Sequence, residues 1–286
     1  MKRKDFLRKG ILGATALGWS GAAAGKTDRP ELEQVGFEHI PKMEKEHTMQ
    51  KVIHRANSRG HANHGWLDTH HTFSFANYRN PERMHFGALR VLNDDHVAAG
   101  RGFGMHPHDN MEIVSIPLEG NLEHRDNMGN RTVIRQGDVQ IMSAGTGVFH
   151  SEMNQQADAD VKFLQIWVFP KKRNITPRYD QATFQADDRR NVIQTVVSPE
   201  NVNDGGIDIN QDAYFSLTKL DAANAVEYKV RQPGNGVYAF ILSGSVDIAN
   251  ETLDRRDGIG VWDTEALEIK GISDAEVLLM EVPMKI

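Results

Sequence analysis

The chain of 286 residues contains no cysteine. Disulfide bonds, thiolate catalysis and cysteine-ligated zinc or iron–sulfur sites are therefore excluded. Acidic residues outnumber lysine and arginine by 39 to 33, and the resulting net charge of −6 predicts that nucleic acid is not a partner. Long apolar runs are also scarce. The uncharged run at residues 10–25 has 16 residues, whereas a membrane-spanning helix needs about 20.

Histidine is absent from the last 136 residues, because all 13 histidines lie at or before His150. Two short segments of that first half carry potential ligands at positions i and i+2: His106 with His108, and His150 with Glu152. Residues two apart on a β-strand point to the same face. Two such strands facing one another would direct three imidazoles and one carboxylate toward one point, which predicts a metal site.

Short apolar runs alternate with turn signals from Val52 onward. Strands of this length separated by such turns predict an all-β sandwich or barrel, and the missing 3.6-residue periodicity predicts few helices. The predicted strands include residues 88–92, 112–116, 139–142 and 161–168, and the predicted turns include residues 93–95, 127–130 and 136–138.

The second half of the chain repeats the first. Residues 113–123 match residues 237–247 at an offset of 124. Two copies of one β unit about 120 residues apart predict two tandem β-barrels. The second copy is expected to lack the metal site, because the ligand positions change at this offset: His106 becomes Val230, His108 becomes Gln232 and Glu112 becomes Gly236.

The N-terminus has the features of an export signal. Five basic residues precede the uncharged run, and Ala22 to Ala24 offer small residues for cleavage. The run from Arg3 to Leu7 resembles a twin-arginine signal, with Lys4 where the second arginine is expected. We expect a periplasmic or exported protein, with a cytoplasmic location as the alternative and membrane contact only if the leader stays uncleaved. The predicted organisation is an export signal or anchor at 1–25, a linker at 26–50, a metal-binding N-terminal domain at 51–178 and a metal-free C-terminal domain at 179–286.

Imidazole combined with carboxylate suits Fe(II), Mn(II), Ni(II), Cu(II) or Zn(II). Two carboxylates are candidates to complete the set, because Glu112 has the strand parity of His108 and Glu152 has that of His150. Glu112 lies four residues from His108, about 13 Å along an extended strand, whereas Glu152 lies about 7 Å from His150. This spacing favours Glu152 as the fourth ligand. Glu112 could support the ligands or act as a base near the substrate, so both glutamates are candidates for the catalytic base.

Several ordered motifs resemble known families. The spacing of Gly100, His106, His108 and Glu112 resembles the first cupin motif, and that of Gly137, Gly145, His150 and Asn154 resembles the second. Residues 51–286 resemble the pirin family, and most closely its bacterial members with quercetin 2,3-dioxygenase activity. The segments that carry this resemblance are residues 59–68, 71–75, 104–108, 118–120, 142–147 and 150–152.

The pirin resemblance implies an all-β chain of two tandem cupin (jelly-roll) β-barrels, of which the C-terminal one is degenerate. It implies a single metal, usually Fe(II), held in the N-terminal barrel by His106, His108, His150 and Glu152. The implied activity is a dioxygenase that opens the ring of a small aromatic substrate such as quercetin with O2. The alternatives are a non-catalytic, iron-binding pirin that senses redox state or binds proteins, and a cupin isomerase or hydrolase. We expect a monomer.

Other histidines and large apolar side chains surround these motifs. The histidines at 61, 64, 70 and 71 are interpreted as structural residues of a loop at the barrel entrance, where Asp68 is the carboxylate at strand parity. His124, which precedes a turn, is interpreted as a solvent-facing hairpin residue. Six apolar side chains either line a cavity for an aromatic ligand or belong to the ordinary core: Phe73, Phe75, Met105, Met111, Met142 and Phe149.

Overall fold

The structure is a computed structural model that describes residues 48–286. The predicted leader, and residues 26–47 of the predicted linker, lie outside the described residues. Within the described range, none of the helices is long and apolar enough to cross a membrane. Two short 3-10 helices interrupt the strands, at Ala56–Ser58 and Ala186–Arg189.

The first half of the described chain consists of twelve strands. They are β1 Gln50–His54, β2 Gly60–Asn63, β3 Leu67–His71, β4 Leu89–Val97, β5 Gly102–His108, β6 Glu112–Glu119, β7 Asn121–Asp126, β8 Arg131–Arg135, β9 Asp138–Ser143, β10 Val148–Met153, β11 Val161–Val168 and β12 Arg178–Thr183. Ten strands follow in the second half. They are β13 Gln194–Pro199, β14 Ile207–Ile209, β15 Tyr214–Leu220, β16 Ala225–Lys229, β17 Asn235–Ser243, β18 Ser245–Ile248, β19 Glu251–Asp254, β20 Gly258–Trp262, β21 Ala266–Gly271 and β22 Ala275–Pro283.

The two halves have the same strand order. In the first, a seven-stranded sheet β12-β9-β6-β11-β4-β3-β2 accompanies a four-stranded sheet β5-β10-β7-β8. In the second, the corresponding sheets are β1-β20-β17-β22-β15-β13-β14 and β16-β21-β18-β19. Strand β17 thus takes the place of β6, as the match between residues 113–123 and 237–247 predicts. The chain is an all-β protein of two tandem barrels.

The halves exchange strands at their edges. Strand β1 precedes the first barrel in sequence but pairs with β20 of the second, with Gln50 opposite Trp262. Strand β12 begins at Arg178, the predicted domain boundary, and pairs with β9 of the first barrel. The predicted domain limits, 51–178 and 179–286, take no account of this exchange of strands, and they stay a prediction.

A hydrophobic core joins the two large sheets. It contains buried side chains from both halves, among them Val114 and Ile166 from the first and Phe215 and Phe240 from the second. Burial of one such side chain stabilises the fold by about 1.5–3 kcal/mol. Because this face of the first large sheet is packed against the second half, its opposite face is the one that lines the barrel interior.

The predicted turn at residues 93–95 is wrong, because this segment lies within strand β4. Its polar side chains have partners that a turn would not offer. Oδ1 of Asn93 accepts a hydrogen bond from Nδ1 of His71 at 2.8 Å, and Asp95 accepts one from Thr69. Asp94 points to the other face. Alternation of this kind is the strand period of two, and the partners on strand β3 satisfy buried groups that would otherwise favour a turn.

Candidate metal centre

Three imidazoles converge on the small sheet of the first barrel. Strands β5 and β10 are antiparallel neighbours, with His106 opposite His150 and His108 opposite Val148. The ring centroid of His150 lies 4.4 Å from that of His106 and 4.9 Å from that of His108. One ring nitrogen from each histidine lies within 4.8 Å of the others. The structure therefore brings together the three histidines that the sequence selects.

The hydrogen bonding of these rings fits a metal. Nδ1 of His106 lies 2.7 Å from the carbonyl oxygen of Gly104, to which it donates, so Nε2 is left as the ligand atom. His150 is 1% exposed, and both of its ring nitrogens lack a hydrogen-bond partner among residues 48–286, which the structure describes. A buried polar atom without a partner is destabilising unless a ligand satisfies it. A metal ion would satisfy one of these nitrogens.

Two of the three rings, those of His150 and His108, are held in the neutral form that binds metals. The pKa of His150 is lowered to about 3, mainly by burial and then by the neighbouring imidazoles of His106 and His124. Burial also lowers the pKa of His108 to about 4, with His150 and His106 as the next causes. Since metal and proton compete for the same nitrogen, neutral imidazoles at pH 7 are ready for coordination.

Glu152 lies beside the imidazoles on strand β10 but outside the group of nitrogens within 4.8 Å. The pairing register of β10 with β5 shifts between His150 and Glu152, which is a β-bulge. The carboxylate is 2% exposed. Ser115 donates to Oε1 at 3.0 Å and Gln165 donates to Oε2 at 2.6 Å. Both oxygens are thus oriented by neighbouring strands, and the role of Glu152 as fourth ligand stays a prediction.

The structure does not bring Glu112 to the imidazoles. Its Oε2 accepts hydrogen bonds from Ser143 at 2.7 Å and from the backbone nitrogen of Asn210, in the second half, at 3.2 Å. Burial raises the pKa of this carboxyl. The parity argument from His108 fails physically, because Asn110 has a φ of 46° in the loop that separates β5 from β6. No contact in the described residues supports a catalytic role for Glu112.

A fourth histidine lies against the site. His124 is 0% exposed, so the prediction of a solvent-facing hairpin residue is wrong. Its Nε2 lies 3.0 Å from Asp126, and its ring centroid lies 5.3 Å from that of His150 and 4.6 Å from that of Tyr179. Strand β12, which carries Tyr179, covers this ring. The sequence gives no signal for that coverage, because β12 is distant along the chain.

A cavity of about 450 Å³ is lined by residues of strands β2 to β5 in the first barrel. Its lining includes the aromatic side chains of Phe75, Tyr78 and Phe103 and the polar side chains of Asn93 and Asp95. The three imidazoles are not among its lining residues. Contacts between aromatic rings connect the cavity with the three imidazoles. The ring centroids of Phe75 and Trp167 lie 5.3 Å apart, and those of Trp167 and His108 lie 4.9 Å apart.

Sequence reasoning missed Asp95, which burial makes an unusual acid. It is 4% exposed, and desolvation raises its pKa to about 7. A carboxyl that titrates near neutral pH in a cavity is a candidate for proton transfer. The alternating pattern of residues 89–97 could have indicated that Asp95 faces inward on a strand. The prediction of a turn at residues 93–95 led us to overlook this pattern.

The apolar candidates divide between several environments. Phe75 lines the cavity, and Phe73 belongs to the core between the large sheets. Met111 and Met142 pack in a small cluster with Trp167. Two further candidates are largely exposed: Met105 and Phe149. The histidines predicted to occupy an entrance loop lie mostly on strands β2 and β3 instead.

Known proteins resemble this chain along most of its length. The Pirin family model matches residues 52–168, and the model of the quercetinase C-terminal cupin domain matches residues 195–282. The chain is 44% identical over 231 residues to the quercetin 2,3-dioxygenase of Escherichia coli (strain K12), covering 81% of this chain and 98% of that protein. It is 36% identical over 222 residues to a pirin-like protein of Caulobacter vibrioides, covering 78% and 95%.

Among solved structures, the bacterial pirin YhhW of Escherichia coli in complex with nickel(II) superposes with a TM-score of 0.77 at 42% identity. The superposition covers 82% of this chain and 99% of that one. Both cupin barrels are therefore shared with this relative. On the strength of the matching family models, the identity and the common fold, this chain belongs to the pirin family.

Proposed function

We propose that this chain is a metal-dependent dioxygenase that opens the ring of a flavonol-like aromatic substrate with O2. The observation that carries the proposal is the group of three imidazoles with buried, unpartnered nitrogens on His150. A relative at 44% identity is named quercetin 2,3-dioxygenase, and a similar structure is described as a nickel(II) complex. These findings support a bound divalent metal and an oxidation of this type.

The proposed ligands are His106, His108, His150 and Glu152. When bound, the metal supplies Lewis-acid and template chemistry for the substrate oxygen and dioxygen. The protein supplies three imidazoles and a carboxylate that Ser115 and Gln165 hold in one orientation. Glu152 is also the proposed acceptor of the substrate hydroxyl proton, which requires approach to about 3 Å.

The cavity supports an enzyme more than a sensing module. Its volume of about 450 Å³ lies within the range of about 300–1,000 Å³ that small-molecule sites occupy. Phe75, Tyr78 and Phe103 offer apolar faces to a planar substrate, and Asp95 offers a hydrogen-bonding partner for a hydroxyl group. A non-catalytic iron-binding pirin has no need for such a cavity.

Iron(II) is the proposed metal, although a donor set of imidazole and carboxylate also accepts Mn(II), Ni(II), Cu(II) or Zn(II). The test is to load the metal-free protein separately with each ion and to measure O2 consumption with quercetin and related flavonols. We expect uptake of one O2 per substrate with Fe(II). Absence of uptake with every ion and every flavonol, in protein that retains metal, would contradict the proposal.

Two further proposals concern the state of the protein in the cell. We propose that residues 1–25 direct export to the periplasm and that the mature protein is a monomer. The leader pattern supports the first proposal, and cell fractionation with N-terminal sequencing tests it. Light scattering on the purified protein tests the second, and a stable dimer would contradict it.

A further inference from the structure

A second cluster of metal-ligating side chains lies outside the barrel interior, on the hairpin of strands β2 and β3. His61 and His70 are directly opposite one another in the pairing register. Asp68 is two residues from His70 and therefore points to the same face. One ligand atom from each of these three residues lies within 4.8 Å of the others.

The distances within this cluster suit one ion. His61 Nε2 lies 2.7 Å from Asp68 Oδ1, and His70 Nδ1 lies 4.0 Å from the same oxygen. Ligand atoms on a tetrahedral zinc ion with bonds near 2.05 Å are about 3.3 Å apart, a value between these two distances. The two imidazoles stack with centroids 4.5 Å apart. Small side-chain movements would therefore place all three donors around a common centre.

A chain of hydrogen bonds orients the carboxylate. The backbone nitrogen of Gly65 donates to Asn63 Oδ1 at 2.8 Å, and Asn63 Nδ2 donates to Asp68 Oδ2 at 3.4 Å. Gly65 has a φ of 82°, a conformation that glycine adopts without strain. The turn thus orients the side chain of Asn63. Because Asn63 donates to Oδ2 of Asp68, Oδ1 of Asp68 is left directed toward the histidines. Outer contacts of this type orient metal ligands in proteins.

The neighbouring carboxylate is already paired. Asp94 lies opposite His70 on strand β4, but Arg59 lies 3.2 Å and Arg256 lies 2.8 Å from its Oδ2. Asp68 has no arginine or lysine among its ion pairs in the part of the chain that the structure describes. Its available negative charge therefore faces two imidazoles, which is the combination that divalent transition metals prefer.

We propose that His61, Asp68 and His70 form a second divalent-metal site, of the zinc type, at the surface of the N-terminal barrel. The three side chains are 37–51% exposed, so water would complete the coordination. His61 also lines the cavity of about 450 Å³, and an ion held here would stand at the rim of that cavity. The site is separate from the three imidazoles on strands β5 and β10.

The test is calorimetric titration of the metal-free full chain with Zn²⁺. We expect two equivalents in the wild type and one in His70→Ala, because loss of a ligand weakens binding by more than about tenfold. His85→Ala is the matched control. His85 is an exposed histidine that belongs to neither cluster, with its Nδ1 2.9 Å from the carbonyl oxygen of Gly87, and its variant should keep two equivalents.

The His108→Ala background separates this site from the barrel centre. It should retain one equivalent of Zn²⁺, and His108→Ala/His70→Ala should retain none. Asp68→Asn provides a second variant should His70→Ala fold poorly, with circular dichroism as the check. Equal stoichiometry in the wild type, His70→Ala and Asp68→Asn would overturn the surface site, whatever the barrel centre does.

Discussion

The interiors of the two barrels differ in whether their buried polar groups have hydrogen-bond partners. In the first barrel, both ring nitrogens of His150 are buried without a hydrogen-bond partner in the described part of the chain. In the second, Glu281 is equally buried, yet Tyr228 donates to its Oε2 at 2.8 Å and Asn235 donates to its Oε1 at 2.9 Å. The backbone nitrogens of residues 231 and 232 also donate to this carboxylate. One barrel holds a polar group ready for a ligand, and the other satisfies its polar group internally.

Corresponding strands show the same contrast. Strand β10 presents His150 and Glu152 to the interior, whereas β21, at the same place in the strand order, buries Leu267 and Ile269. Those two side chains belong to the apolar core that fills the second barrel. The same fold can therefore hold either a group of potential metal ligands or a packed apolar core. The residue types at a few inward-facing positions decide between the two.

The largest expected effect comes from removing a ligand. His108→Ala should reduce metal content to less than about a tenth of the wild-type value and abolish O2 uptake with quercetin, because an imidazole is lost from the coordination sphere. Gln232→Ala, which changes the residue 124 positions further along the chain in the second half, should change neither quantity. Elemental analysis of the two variants after the surface site has been removed by His70→Ala provides the measurement. Equal losses of metal and of O2 uptake in both variants would contradict the assignment of the metal to the first barrel alone.

A smaller effect should follow from releasing the carboxylate. Gln165→Leu removes the donor to Oε2 of Glu152, and we expect a loss of about 10–100-fold in metal affinity or kcat/KM, the range found for residues that orient ligands. Metal titration and steady-state O2 uptake measure it. Wild-type affinity and activity in this variant would show that Glu152 takes no part in the site.

The pH dependence of stability should also distinguish the barrels. The pKa values of His108 and His150 are lowered to about 4 and about 3 in the folded state, whereas an unfolded histidine titrates near 6.5. Between pH 6.5 and about 4, the unfolded chain therefore binds protons that the metal-free folded chain does not. Stability should fall as the pH falls through this window, by at most about 1.4 kcal/mol per pH unit for each histidine.

Urea unfolding of metal-free protein at pH 7 and pH 5 measures this slope. His108→Ala/His150→Ala should show a shallower fall than the wild type. Some slope should remain, because burial also lowers the pKa of His54 to about 4. Identical slopes in the wild type and the double variant would contradict the assignment of neutral imidazoles to the first barrel.

The smallest expected effect lies in the second barrel. Tyr228→Phe removes one hydrogen bond to Glu281 and should reduce the free energy of unfolding by about 1–3 kcal/mol, because a buried acceptor loses a donor. Metal content and O2 uptake should stay at wild-type values. A loss of activity in protein that remains folded would mean that the second barrel contributes more than support.

Strand patterns were sufficient to predict much of this architecture. The offset of 124 predicted two related barrels, since residues on matching strands keep the same alternation. The i, i+2 spacing selected the three histidines that converge, because the pairing of β5 with β10 is regular from His106 to His108 and places His150 opposite His106. The surroundings of Glu152 were beyond prediction, since Ser115 and Gln165 lie on other strands and belong to no motif.

The errors arose where local geometry departs from a regular strand or where distant segments supply partners. Glu112 was assigned to the His108 face, but the positive φ of Asn110 breaks the parity between them. The turn prediction at residues 93–95 failed because partners such as His71 and Thr69 come from another strand. His124 was placed in solvent because its cover, strand β12, follows it by more than fifty residues.

Anomalous diffraction from crystals of the metal-loaded protein would test the difference between the barrels most directly. We expect one peak inside the first barrel, about 2.0–2.3 Å from a nitrogen of His106, His108 and His150, and no peak inside the second barrel. A peak within the second barrel, or an empty first barrel with metal bound elsewhere, would contradict the assignment.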